Sequence, residues 1–107
     1  MNRDVISCAS SGDNTVITNS STHTIQIYAL AFTLASSTTV TLKSGSTALT
    51  GAMTGTAFVF DVRPIPRGGL MPWFNIGPGQ NFVINLGGAV QCSGQVTYGI
   101  DNAEAYD

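Results

Sequence analysis

Residues 24–35 have the sequence TIQIYALAFTLA, the longest largely apolar run in the chain, and this run decides the fold. Its side chains alternate at period two between two faces, as they do in a β-strand. One face carries Ile25, Ile27, Ala29 and Ala31, and the other carries Tyr28, Leu30, Phe32 and Leu34. Because only one face of a strand meets the core of a two-layer sandwich, the second apolar face needs another cover. A neighbouring subunit and a long loop of the same chain are both consistent with this pattern.

The same period of two recurs along much of the chain. Val40 and Leu42 alternate with polar neighbours, and residues 57–62, 82–86 and 90–98 repeat the pattern. No window of useful length has apolar residues at helical spacing. Turn-forming stretches rich in Gly, Ser, Asn and Pro separate the runs. We therefore predict an all-β fold, an antiparallel β-sandwich of jelly-roll or Greek-key type with about eight strands.

The chain length fits one domain. We assign residues 1–107 to a single β-sandwich domain, since a chain of this size supports one modest core. The ends are expected to be less regular, with an N-terminal arm at about residues 1–10 and a loose acidic tail at about residues 101–107. Residues 63–72, which hold Pro and Gly pairs, are expected to form one long irregular connection.

Charged residues are scarce. They make up 9% of the chain, against about 25% in an average soluble domain, while hydrophobic residues make up 43%. Disordered chains combine low hydrophobicity with high charge, so disorder does not explain this composition. The cores of protein interfaces are depleted in Lys, Glu and Asp. The composition therefore favours a protein whose surface contacts other protein subunits.

Charge and hydropathy also exclude several function classes. The net charge is −2, and the cations Arg3, Lys43, Arg63 and Arg67 form no basic stripe, which argues against nucleic-acid binding. No continuous apolar stretch is long enough to span a membrane, and the first residues lack the apolar segment of a secretory signal. We expect a soluble protein that is synthesised in the cytoplasm and has no membrane partner.

The residues that carry chemistry are few. His23 is the only histidine, so catalytic triads and two-histidine metal sites are excluded within one chain. The carboxylates lie near the ends and in turns and form no acid–base pair. Cys8 and Cys92 become neighbours if the terminal strands pair, and a reducing cytoplasm predicts two buried thiols. We predict no enzyme activity, no metal and no cofactor.

Trp73 follows the Pro- and Gly-rich connection and stands beside Met71 and Phe74. Trp, Met and other aromatic residues are enriched at protein interfaces, so Trp73 is a candidate anchor for a partner. An indole that closes one end of the sandwich is an equal alternative. A sugar-stacking platform is a third interpretation, but no tyrosine is an obvious companion on the same face.

Residues 35–53, ASSTTVTLKSGSTALTGAM, are similar to a pattern that recurs in small virion proteins of tailed bacteriophages. In those proteins a "VTLKSGSTxLTG" hairpin is followed by an aromatic and Gly-rich stretch and a closing "GxVxY" strand. The corresponding parts here are Trp73–Phe74, Gly77–Gly79 and Gly94–Tyr98, so the resemblance covers about residues 24–99. The family provides no catalytic residues.

The resemblance implies a capsid decoration, or cement, protein. Such a protein binds the major capsid protein on the outer surface of the phage head, as a homo-oligomer for which a trimer is favoured. It is made in the host cytoplasm and ends in the virion. Residue type and position give the interface candidates, which are Arg3, Arg63, Arg67, Met71, Trp73, Phe74, Tyr28 and Phe32. The main alternative is a receptor- or carbohydrate-binding module of a tail fibre or baseplate that uses the Trp73 loop.

Overall fold

The computed structural model describes residues 2–55, 59–62, 65–66 and 70–102. Within these ranges the chain forms twelve β-strands and no helix. The strands are β1 (Asn2–Cys8), β2 (Gly12–Ile17), β3 (His23–Leu34), β4 (Thr38–Ser44), β5 (Thr47–Ala48), β6 (Met53–Gly55), β7 (Val59–Val62), β8 (Ile65–Pro66), β9 (Leu70–Met71), β10 (Phe74–Ile76), β11 (Phe82–Leu86) and β12 (Cys92–Asn102).

Ten of these strands form two antiparallel sheets. Sheet A has the order β1-β12-β3-β10, and β7 also pairs with β3. Sheet B has the order β2-β11-β4-β5, and β6 also pairs with β4. The remaining pair, β8 and β9, forms a separate two-stranded sheet.

The pairing is nested, and this nesting defines the topology. Strand β1 pairs with β12 in sheet A, and β2 pairs with β11 in sheet B. Inside these two pairs, β3 pairs with β10 in sheet A, and β4 pairs with β5 and β6 in sheet B. This is the jelly roll, so the prediction of an all-β sandwich of this type is confirmed. The sheets contain ten strands and not eight, because β7 and β10 both pair with β3, and β5 and β6 both pair with β4.

The core lies between the two sheets. Phe32 and Phe82 are its largest fully buried side chains, exposed by 1% and 0%. The other members include aliphatic residues from both sheets and the two cysteines; Val16, Leu49, Met53, Val62, Phe74 and Val90 pack around them. Among the described residues, every buried side-chain nitrogen and oxygen atom has a hydrogen-bond partner.

A β-bulge in β3 explains why residues 24–35 have apolar side chains at both odd and even positions. Strand β12 pairs Thr97 with Ala29 but Tyr98 with Ile27, so β3 has one extra residue, Tyr28, at this point. The bulge changes which positions face inward. Ile25 and Ile27 are buried before it, and the even-numbered residues Leu30, Phe32 and Leu34 are buried after it. The predicted second apolar face, which needed its own cover, is therefore wrong.

The N-terminal segment is a strand and not an arm. Residues Asn2–Cys8 pair with β12 from Asn2 opposite Tyr98 to Cys8 opposite Cys92. Ile6 and Cys8 are buried, so this segment belongs to the core. The predicted arm at residues 1–10 is therefore wrong, because alternate side chains of this segment are needed in the sandwich.

Two further segments differ from the expectation. The expected irregular connection contains the hairpin of β8 and β9. The expected acidic tail begins inside β12, which continues to Asn102, and residues 103–107 lie outside the described part of the chain. In both places backbone pairing continues further than the composition suggested.

The turn at Gly77-Pro78-Gly79 carries the chain from β10 in sheet A to β11 in sheet B. Gly79 has φ of 76°, a value that glycine adopts readily, and Gln80 N donates to Gly77 O over 3.1 Å. Asn19 fixes the same end of the sandwich, because its Nδ2 donates to His23 O (2.8 Å) and to Gly77 O (3.0 Å). This turn holds β10, and the Trp73 that precedes it, against β3.

Candidate interaction surface

The exposed large hydrophobic residues concentrate on one sheet. In the described ranges they are Val5 (79% exposed), Ile100 (48%) and Trp73 (43%). Val5 belongs to β1 and Ile100 to β12, and Trp73 immediately precedes β10, so all three are part of sheet A or adjoin it. Val5 and Trp73 lie on its outer side. The outer side of sheet A is therefore the candidate binding surface.

We call this outer side the sheet A surface. Its outward-facing residues, given by pairing and alternation, are Arg3, Val5, Ser7, Ser93, Gln95, Thr97, Gly99, Gln26, Tyr28, Ala29, Ala31, Thr33, Asp61, Trp73 and Asn75. Arg3 lies on the terminal strand β1 at one edge, and Asp61 lies on β7 at the other. By the same alternation Asp101 lies on this side at the end of β12, opposite Thr24, and the side chains of the central rows are uncharged. A partner that covers the central rows therefore removes little charge from water.

Two adjoining depressions occupy the centre of the sheet A surface. The larger has a volume of about 330 Å³ and is lined by Ala31, Phe32, Thr33, Ser93, Gly94 and Gln95. The smaller has a volume of about 180 Å³ and shares Ala31 and Gln95 with it. Gln95 lies between Val5 on β1 and Ala31 on β3. Small side chains on adjacent strands leave this shallow concavity, whose larger part has an uncharged lining and whose smaller part is bordered by Asp61.

Gly94 allows the two central strands to approach closely. A Cβ atom at this position would lie 1.9 Å from Ala31 O and 2.6 Å from Phe32 Cα. These atoms belong to the backbone of β3, so they cannot move aside as the end of a side chain can. The floor of the larger depression therefore requires glycine.

An aromatic pair borders the sheet A surface on β3 and β10. The β10–β3 register begins at Phe74 opposite Ile27, and Trp73, which immediately precedes β10, donates from its N to Ile27 O over 2.7 Å, next to Tyr28. Ile27 and Phe74 face the core, so their chain neighbours Tyr28 and Trp73 lie on the outer side of the sheet. The Tyr28 ring lies over Gly99, and its hydroxyl donates to Gln26 Oε1 over 2.9 Å. No sequence pattern indicated this companion for Trp73.

The outer side of sheet B is different. Lys43 Nζ donates to both carboxylate oxygens of Asp13, over 3.1 and 3.2 Å, and Asn85 Nδ2 donates to Asp13 Oδ1 over 2.7 Å. The hydrogen bonds from Asn85 and Lys43 lower the pKa of Asp13. Val83 lies between Thr15 and Lys43 on this side and is only 5% exposed. Sheet B thus covers its own apolar side chain and pairs its own charges.

A second ionisable pair lies at the edge of sheet A. The Tyr98 hydroxyl donates to Asp4 Oδ2 over 2.9 Å and joins β12 to β1. Burial raises the pKa of Tyr98, and the hydrogen bond to the Asp4 carboxylate raises it further. This pair holds the terminal strand and adds no free charge to the sheet A surface.

The structure places the predicted interface residues in different environments. Arg3 is exposed on β1, and Tyr28 is half-buried on the sheet A surface. Trp73 is 43% exposed and does not close the end of the sandwich as a buried residue. Phe32 is wrong as an interface candidate, because the bulge turns its side chain into the core, where it is 1% exposed. Phe74 is partly buried and packs against the core.

The other candidates cannot be compared in the same way. Arg63 and Arg67 lie outside the described residues, and for Met71 only its position in β9 is described. Val5 and Gln95 are members of the surface that the sequence did not nominate. Val5 shares its face of β1 with Ser7, and the alternation of this face with the apolar Ile6 and Cys8 was the available signal for an outward-facing position.

The described residues offer little reactive chemistry. They contain no group of three or more His, Cys, Asp or Glu side chains that could hold a metal ion. His23 Nδ1 shares a hydrogen bond with Ser20 Oγ. Nor do the described ranges contain a helix that is long and apolar enough to cross a membrane. The features of the surface itself are shape, apolar contact and amide or hydroxyl hydrogen bonds.

Comparison with known proteins adds no relative. No protein-family model, no curated protein and no solved structure matches the chain.

Proposed function

We propose that this chain is a structural virion protein, a capsid decoration protein that binds across subunits of the major capsid protein and stabilises the phage head. The observation that carries the proposal is the sheet A surface, where exposed Val5 and Trp73 lie on either side of a shallow concavity whose larger depression has an uncharged lining. The similarity of residues 35–53 to small tailed-phage virion proteins supplies the class of partner. The preference for a homotrimer comes from that resemblance alone.

Desolvation energetics support a protein partner for the sheet A surface. A charged side chain that loses water without gaining a partner costs several kcal/mol or more. The central rows of this surface carry Ala, Ser, Thr, Gly and Gln, so covering them costs little. The surface is not strongly apolar, and this fits a partner that docks on an already folded subunit.

Binding to an assembled shell gives the stabilising role. A protein that binds neighbouring capsid subunits only in their assembled arrangement shifts the equilibrium toward that arrangement. We expect side chains of the capsid or of a sister subunit to enter the two depressions around Gln95. The jelly roll is used by viral capsid and lectin domains among others, so the fold is compatible with this role but does not select it.

A charge placed at the centre of the surface tests the proposal. Gln95→Lys puts an ammonium group between the two depressions, and Thr15→Lys puts the same group on the exposed outer side of sheet B. We expect Gln95→Lys to weaken association and binding to purified phage shells by tenfold or more, which corresponds to about 1.4 kcal/mol. Thr15→Lys should bind like the unmodified protein.

The measurements are sedimentation of the free protein and cryo-imaging of shells incubated with each variant. Equal binding by both variants would show that the sheet A surface is not part of the interface. If the wild-type protein stays monomeric at high concentration and does not bind phage shells, the proposed decoration role is wrong.

A carbohydrate-binding module is the second candidate, and the Trp73–Tyr28 pair favours it. Two aromatic side chains on the outer side of sheet A, with the amides of the paired residues Gln26 and Asn75 nearby, offer stacking and hydrogen bonds on one face. A glycan array read together with Trp fluorescence tests it. A sugar that shifts the emission of the wild type, and whose affinity falls in Tyr28→Ala, would favour this function over the decoration role.

A further inference from the structure

Two cysteines from opposite ends of the sequence face each other in sheet A. Cys8 and Cys92 are direct partners in the last pair of the β1–β12 register. Both are free thiols, and they are exposed by only 7% and 0%. Their chain neighbours Ser7 and Ser93 are exposed, so both cysteine side chains lie on the core side of the sheet.

The register brings the two residues within the distance range of a disulfide. Directly opposed residues in an antiparallel pair have Cα atoms about 4.5–5.5 Å apart, and disulfides occur at Cα separations of about 4.4–6.8 Å. The two thiols also influence each other. Burial raises the pKa of Cys92 to about 12, and the nearby Cys8 contributes to this increase. No strand has to change its pairing for the bond to form.

We propose that Cys8 and Cys92 are a cross-linking site, which forms an intramolecular disulfide when the folded protein meets a disulfide oxidant outside a reducing compartment. One cysteine thiolate attacks the oxidant RSSR and releases RSH, which leaves a mixed disulfide on the protein. The second thiolate attacks the protein sulfur of that mixed disulfide and releases a second RSH. The two protein thiols are thereby oxidised, and RSSR is reduced to two RSH that carry the two protons.

The environment of the thiols determines the rate of this reaction. Only the thiolate attacks a disulfide, and burial raises the pKa of both Cys8 and Cys92, so the closed structure reacts slowly. Cys8 lies at the end of β1, which is the terminal strand of sheet A. Local opening of this strand exposes the thiols to the oxidant. The reaction should therefore take hours and still occur without global unfolding.

The bond would close a loop that contains most of the chain. Long loops give the largest entropic stabilisation, because the cross-link removes many conformations from the unfolded state. We expect the oxidised protein to melt roughly 10 °C or more above the reduced protein. The terminal strand β1 would then no longer separate from β12. This inference does not depend on the proposed function.

The test is a redox titration of the folded protein in buffers of reduced and oxidised glutathione. After each incubation the protein is denatured and alkylated, and its free thiols are counted by mass spectrometry. We expect both thiols to disappear together in a monomer that is lighter by two hydrogen atoms. The melting temperature should rise with them and return to its initial value after reduction.

A one-residue register change provides the matched control. The double variant Ser7→Cys with Cys8→Ser keeps two thiols but moves one of them to the exposed side of β1. It should give mixed or intermolecular disulfides and no rise in melting temperature. The proposal is overturned if the wild-type thiols stay free in the most oxidising buffer, if the oxidised wild type is a linked dimer, or if the intramolecular bond leaves the melting temperature unchanged.

Discussion

The outer sides of the two sheets differ although one chain builds both. Sheet B pairs Lys43 with Asp13 and covers Val83, so its outward side chains satisfy one another. Sheet A leaves Val5 and Trp73 exposed and has in its middle a shallow concavity whose larger depression has an uncharged lining. A low total charge therefore does not mean an evenly uncharged surface. The contrast supports the proposal that sheet A faces a partner, while the outer side of sheet B is suited to contact with water.

We expect the largest loss of stability at Gly94, where β3 and β12 approach closely beneath the sheet A surface. Gly94→Ala places a methyl group 1.9 Å from Ala31 O, so β3 and β12 must separate. We expect a loss of about 3 kcal/mol in the free energy of unfolding, measured by urea denaturation. The control is Gly88→Ala beside sheet B, whose Cβ would make an ordinary contact of 3.5 Å with Thr38 Oγ1. Equal losses would show that the close approach at Gly94 is not special.

Trp73 and Phe74 are adjacent in sequence but lie on opposite sides of sheet A. We expect Phe74→Ala to lower the free energy of unfolding by about 2–3 kcal/mol, because its ring packs against the core. Trp73→Ala should cost less than about 1 kcal/mol in stability, yet weaken shell attachment by tenfold or more. Thermal melting and shell binding of both variants measure the two effects. A Trp73→Ala protein that loses as much stability as Phe74→Ala would give the indole a structural role.

Alkaline pH should affect sheet A through Tyr98. Its pKa is raised in the folded protein, so its contribution to stability is complete below pH 10, the ordinary tyrosine value, and is lost as the pH rises through the folded value. Tyr98→Phe removes the hydrogen bond to Asp4 and should cost about 1 kcal/mol at neutral pH. The difference between the two proteins should shrink above pH 10 in denaturation experiments. If the difference in stability stays constant above pH 10, the contribution of the Tyr98–Asp4 hydrogen bond does not depend on the ionisation of Tyr98.

The smallest effect concerns the charges of sheet B. Because the pKa of Asp13 is lowered from its ordinary value of 3.8, its contribution is complete above that pH and is lost as the pH falls through the folded value. Asp13→Asn should melt slightly below the wild type at pH 7, and the difference should disappear in strong acid. It should also decrease at about 1 M salt, since the pair is exposed. A difference that persists in acid would assign the effect to hydrogen bonding alone.

Much of the fold was predictable because local alternation decides it. The limits of β3 and β4 follow the sequence pattern to within about two residues, and the turns fall where Gly, Pro and Ser cluster. The bulge at Tyr28 was not predictable, because a shift of one residue appears only when β3 is aligned with β12. That shift placed Phe32 in the core and removed the second apolar face.

The candidate surface was less accessible to sequence reasoning. Trp73 could be nominated from its residue type, but its companion Tyr28 is 45 residues away in the chain and becomes adjacent only through the β10–β3 register. Likewise Gln95 reads as an ordinary polar strand residue until Ala31 and Val5 are placed beside it. The sequence pattern assigns residues to faces of strands, but neighbours across strands depend on topology.

The nested topology also implies an order of folding. The β4–β5 hairpin around Gly45 needs only local contacts, whereas β1 and β12 join residues as distant as Asn2 and Tyr98. Loops close more slowly as they lengthen, so we expect pairing to begin near this hairpin and to proceed outward to the chain ends. During synthesis β12 emerges after all the other described strands. Strand β1 therefore cannot pair until nearly the whole chain has been synthesised. Until it pairs with β12, its apolar side chains are exposed and can cause aggregation.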